Sequence, residues 1–287
     1  MTALVAIVFA LLASCSWGLS DFIGGFASRR FGTVTVLLLV EAGGLVVAGA
    51  VLLIVSPAML SGPDALLACG AGLIAVTGLA CLYSAFAIGT MSVVAPVASA
   101  GVVLPVLVGL IRGDRPSPLQ LAGLAVIVTG VMLASRERSE THAERHAARL
   151  SVLLAVVAGL CLSSFYIFVR TPAAHSILWT VILVRAAPLP IIAALWWRSG
   201  VGLPQPLIAA GILAAGSIDY LATVMIAAAS RRGDLAIVSV LGSMYPVVTV
   251  MLATAVLHER VRVSQYVGVV LALAGVGEPG DEGRHLG

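Results

Sequence analysis

Four ionisable side chains stand within otherwise apolar stretches of this 287-residue chain: Asp21, Glu41, Arg185 and Asp219. A charge held away from water is costly, so each marks an ion path, a substrate contact or an ion pair. Glu41 and Arg185 read either as a buried ion pair that fixes packing or as working groups, Arg185 meeting a substrate carboxylate or Glu41 exchanging a proton. Asp219 has no obvious partner in the sequence, and a lone buried carboxylate could load and release protons near neutral pH. Asp21, shortly before Arg29 and Arg30, reads as interfacial rather than cavity-lining. Trp17, Tyr220 beside Asp219 and Tyr245 beside Pro246 are rings that could line a cavity and stack on a substrate or cation, with helix packing the plainer alternative for each. Trp179, Trp196 and Trp197 read as interface anchors.

The elements that must carry these residues are membrane helices. Residues of the AVILMFWYC set make up 60% of the chain and charged residues 10%, against about 25% charged in soluble domains. Mean hydropathy is +1.12. Only helices or a closed barrel satisfy the backbone inside hydrocarbon, and the apolar runs are far longer than a barrel strand needs. Ten spans follow. In the first half they run from Ala3 to Ile23, Gly32 to Val55, Ala65 to Ile88, Ser92 to Ile111 and Leu119 to Ala134. In the second they run from Leu150 to Val169, Ser176 to Trp197, Leu207 to Ala229, Leu235 to Leu257 and Val263 to Gly277. The last of these is short for a span of about 20 residues.

The two halves repeat. Asp114, Arg115, Gln120, Gly123 and Gly130 recur as Glu259, Arg260, Gln265, Gly268 and Gly275, each pair 145 positions apart (259 less 114). The chain therefore divides into a five-helix repeat at 1–134, a polar linker at 135–149, a second repeat at 150–277 and a polar tail at 278–287. In the linker, Arg136 and Glu140 have helical pair spacing. His142 and His146 share the spacing of two metal ligands, but with no Cys or third His nearby the segment reads as a solvated connector. Five spans are an odd number, so the second repeat enters the membrane from the opposite side. Inverted repeats are a recurrent build of secondary transporters, with the substrate site near the bilayer midplane where the halves meet.

The stretch Val247-Val248-Thr249 to Leu257-His258-Glu259-Arg260, followed by Gln265, Gly268 and Gly275, resembles the repeat motif of the EamA branch of the drug/metabolite transporter superfamily. The opening helix, with Ala13, Trp17 and Gly18, is similar to that family's first segment. The resemblance implies ten helices in two inverted repeats and transport, commonly export, of small metabolites such as amino acids or amphiphilic drugs. It also implies that Arg185 is inherited, whereas Glu41 is particular to this chain. Two departures stand out: Asp114 in place of the family's Glu, and His258 in place of its Gly. The early motif proline is present as Pro246, while its counterpart 145 positions earlier is Gly101, with Pro96 and Pro105 nearby.

Small residues let such helices approach, and the glycine pairs of the motif read as packing positions. Pro96, Pro105 and Pro246 mark the fourth span and its counterpart, the ninth, as places for bending, and Pro188 and Pro190 can interrupt the seventh. The four cysteines lie in apolar spans without a CxxC, and no Walker A, GxGxxG or HExxH sequence appears. No catalytic residue, metal site or cofactor is expected. The competing classes are a flippase for lipid or lipid-linked metabolites and an intramembrane enzyme of unrecognised type. Expected partners are a small-molecule substrate and membrane lipid, with a homodimer compatible and no nucleic acid, because the net charge of +3 is spread over loops. The first segment lacks a basic front and an Ala-x-Ala site, so it reads as a retained helix. The protein is placed in the plasma membrane with both termini on one side, the cytoplasm by family resemblance. A tally of arginines in the loops favours the opposite orientation.

Overall fold

A computed structural model describes residues 2–55, 57–102, 104, 129, 142–230, 241–242 and 244–259. Within them the chain is helical, with no strand. Helix α1 spans Thr2–Phe31, α2 Thr33–Val55, α3 Gly62–Ile88 and α4 Met91–Ser99, the last followed by a 3-10 turn at Ala100–Val102. After the linker come α5 His142–His175, α6 Ile177–Ala186, α7 Leu189–Ser199, α8 Pro206–Ser230 and α9 Tyr245–Leu257. Among the described residues six segments are long and apolar enough to cross a membrane, α6 and α7 counting as one. The expected tenth span and, Thr129 apart, the expected fifth lie outside the described residues, as do Asp114, Gly123, Gly130, Gly268, Gly275, Pro105, Arg136 and Glu140.

Several boundaries differ from the expected ones for local reasons. The arginines Arg29 and Arg30, read as a break, are the last turn of α1, and the chain reverses at Gly32, whose φ of 78° favours glycine. Helix α5 starts within the linker and runs through Pro172. His146 is exposed on it, and no cluster of three metal-ligating side chains occurs among the described residues. The seventh span is interrupted at Ala187–Pro188, directly after Arg185, so the prolines there divide the span into α6 and α7. Pro246 follows a turn at Met244. It opens α9 in its first turn, where the missing N–H costs nothing. Pro96 lies inside α4, and its carbonyl accepts the Ser99 hydroxyl at 2.8 Å.

The helix pairings come in twos, exchanged by the 145-residue offset. Helix α1 packs on α8 as α5 packs on α3; α1 meets α9 as α5 meets α4; α2 meets α8 as α6 meets α3. Two glycines show how close these contacts are. A Cβ at Gly216 of α8 would run into the carbonyl of Val40 in α2, and one at Gly72 of α3 into the carbonyl of Val184 in α6. The two contacts map on each other to within one residue (72 plus 145 is 217; 184 less 145 is 39). Backbone cannot yield as a side-chain tip can, so Gly216→Ala is expected to destabilise the bundle by about 1–3 kcal/mol, as overpacking does. A lowered Tm in detergent micelles checks this.

Candidate functional site

Arg185 lies at the end of α6, just before the break at Ala187–Pro188, and is 8% exposed. Its length lets it reach two helices at once. Nη1 donates to Glu41 Oε2 of α2 at 3.4 Å, and Nη2 donates to Asp219 Oδ2 of α8. Gly44, one turn beyond Glu41, makes room for the guanidinium: a Cβ there would stand 2.5 Å from Arg185 Nη1. The Glu41–Arg185 pair expected as one alternative from sequence is therefore present and buried. Asp219, expected to be without a partner, is half of a second ion pair on the same arginine. The sequence could not show this, because Arg185 and Asp219 face each other across two helices that the repeat does not relate.

Asp21 also departs from its expected place. It does not sit at the surface beside Arg29 and Arg30 but within the bundle, in electrostatic reach of Asp219. The preceding residue explains this: Ser20 donates to the Ala215 carbonyl of α8 at 3.0 Å, which clamps this part of α1 against the helix that carries Asp219. No ion pair reaches Asp21 among the described residues. Tyr83 of α3, not singled out from sequence, completes the group. It is 1% exposed, lies over Gly24 one turn from Asp21, and stands in the field of Asp21, Asp219, Glu41 and Arg185. A tyrosine in a long apolar helix was the available signal; its partners are on four other elements, which periodicity does not reveal.

The aromatic candidates separate. Trp17, one turn before Asp21 on α1, meets Tyr245 of α9 edge to face with ring centroids 6.3 Å apart. Both are partly exposed, so the pair borders the space near Asp21. Tyr220 turns away from Asp219 and packs, 2% exposed, with Ala48 and Ile182. Trp179 donates to the Pro57 carbonyl at 3.2 Å, and Trp197 is 80% exposed.

Taken together, three carboxyls and one guanidinium converge from α1, α2, α6 and α8 inside an apolar bundle. With every group ionised the formal charge is −2, three negative charges against one positive. Such a site cannot stay fully ionised and empty without a large desolvation cost. It favours taking up protons or a cationic group.

A solved structure, described only as the crystal structure of a protein, superposes with a TM-score of 0.64 at 15% identity, covering 94% of this chain and 95% of that one. At that identity the likeness speaks for the fold alone. No curated protein matches the chain. The sequence profile of the EamA-like transporter family matches twice, over residues 4–136 and 149–277, one match on each repeat. With a helical, strongly apolar bundle and both repeats matched, this chain is a multi-pass membrane protein that belongs to the EamA-like transporter family, of the drug/metabolite transporter type.

Proposed function

We propose that the protein is a secondary exporter of small amphiphilic solutes bearing a cationic nitrogen, amino acids and organic amines among them, driven by exchange for protons. Ten helices in two inverted five-helix repeats would rock about a central site to give alternating access. The paired helix contacts support the inverted arrangement, and so does the meeting of Glu41 with Arg185. Positions equivalent in two repeats related by a two-fold axis come together only near that axis, and 41 plus 145 is 186.

The observation that carries the reading is the charge count around Arg185. The guanidinium is already held by Glu41 and Asp219, so it is poorly free to receive a substrate carboxylate. Asp21 is the carboxyl left without an ion pair, with the Trp17–Tyr245 pair one turn away to cover an apolar body or face a cation. Protons and a cationic solute would then compete for the same negative charge, which is the simplest way to couple their opposite movements.

The test is transport by purified protein in proteoliposomes with an imposed pH gradient, using a panel of labelled amines and amino acids. Asp219→Asn is expected to abolish transport while the protein stays monodisperse in detergent. Transport of the active solute at the wild-type rate by that variant would overturn the assignment of this site.

A further inference from the structure

The acidic residue of the second repeat motif does more than pack. Helix α9 ends at His258 in a left-handed conformation, φ 53°, and the turn presents Glu259 to α4. One carboxylate oxygen accepts the Met91 N–H at 3.1 Å; the other accepts the Ser92 N–H at 3.0 Å and the Ser92 hydroxyl at 2.8 Å. These are amides of the first turn of α4, which no carbonyl within the helix can satisfy. The same carboxylate receives Arg29 Nη2 at 3.1 Å. Arg29 in turn donates to the carbonyls of Phe86, from Nε at 3.0 Å, and Gly89, from Nη2 at 3.1 Å, at the end of α3. One ion pair thus ties the ends of α1, α3, α4 and α9 at the face where α1 turns into α2.

Below this knot the bundle is filled. Phe86 packs against Gly25 and Tyr83 against Gly24, each ring 1% exposed, between Arg29 and the Asp21 cluster. On the opposite face Asp114, the counterpart of Glu259, lies outside the described residues. The residue 145 positions after Arg29 is Ala174, so the repeat does not supply a second arginine there. The described polar contacts between the halves at that face are Trp179 to the Pro57 carbonyl and His175 to Asp64 at 3.1 Å, with the His175 side chain 64% exposed, beside apolar packing of Ala6 and Ala10 with Ala229. Exposed pairs of that kind hold weakly.

We propose that Arg29 and Glu259 are positioning residues of the transport cycle, forming a latch. While made, it keeps the α1–α2 face closed; it must break for that face to open.

The test needs no substrate and so stands apart from the proposed solute and proton chemistry. Ser28, 5% exposed between Arg29 and Tyr83, is replaced by Cys in protein whose four native cysteines are changed to Ser. A membrane-impermeant maleimide is then applied to either side of oriented, sealed vesicles. Glu259→Gln is expected to raise labelling from the α1–α2 side by about tenfold or more, because losing charge-assisted hydrogen bonds from one state shifts a two-state equilibrium by that order. Arg29→Gln, which leaves the α4 amides covered, is the second variant and is expected to act in the same direction. Unchanged labelling in both variants overturns the latch. So does an equal rise from both sides, since that reports a loosened bundle.

Discussion

Arg185→Leu is expected to destabilise the protein by about 3–5 kcal/mol, the usual effect of removing one partner from a buried ion pair. Here one substitution strands two carboxylates, Glu41 and Asp219, which have no other cation within hydrogen-bonding distance among the described residues. The triple variant Arg185→Leu/Glu41→Gln/Asp219→Asn is expected to regain most of the lost stability, because neutral groups in place of a buried ionic triad are tolerated. Neither variant is expected to transport. Thermal unfolding in detergent and the proteoliposome assay, run on both, separate the two roles of the cluster. A triple variant as unstable as Arg185→Leu alone would mean that the volume of the arginine, not its charge, holds α2, α6 and α8 together.

The sequence makes much of this scaffold legible because membrane helices announce themselves by length and apolarity, and because a duplication leaves matched residues at one offset. The charges were also legible as charges. Their partners were not: Glu41 and Arg185 are nearly equivalent positions, so repeat symmetry hints at their meeting, but Asp219 and Asp21 are brought in by α8 and α1 through contacts such as Ser20 with Ala215. The motif residue Glu259 shows the opposite failure. It belongs to the recurring pattern and so reads as packing, yet its carboxylate serves helix α4 and Arg29, both from the other half of the chain and far in sequence. His258 explains one departure from the family pattern. The position needs a left-handed backbone, which glycine adopts freely and other residues at a cost of about 1–2 kcal/mol.

Symmetry and its breaking divide the work between them. Pairs such as Gly72 with Val184 and Gly216 with Val40 are alike in both halves and bring helix backbones into close contact. The charged groups are not alike: Arg185 stands opposite Glu41 rather than another arginine, and Arg29 is matched by Ala174. A perfectly symmetric bundle would populate its two access states equally. Under the proposed mechanism, the unmatched charges at the centre would make a site that distinguishes one ligand charge from another.

Asp21→Asn is expected to uncouple transport rather than abolish it. A proton can settle on Asp21 without disturbing either contact of Arg185, whereas neutralising Glu41 or Asp219 breaks an ion pair that joins helices. Asp21 is therefore the carboxyl best placed to carry the exchanged proton, with Tyr83 beside it in the same field. One proton exchanged per solute makes a pH difference of one unit worth about 1.36 kcal/mol, or a tenfold accumulation. In the variant that accumulation is expected to fall to about unity, while exchange of labelled for unlabelled solute across the same membrane continues at weakened affinity, the cation held by the one net negative charge that Glu41 and Asp219 keep against Arg185. Accumulation that persists at the wild-type ratio would assign the proton to Glu41 or Asp219, and Arg185 would then have to release a partner on every turn of the cycle.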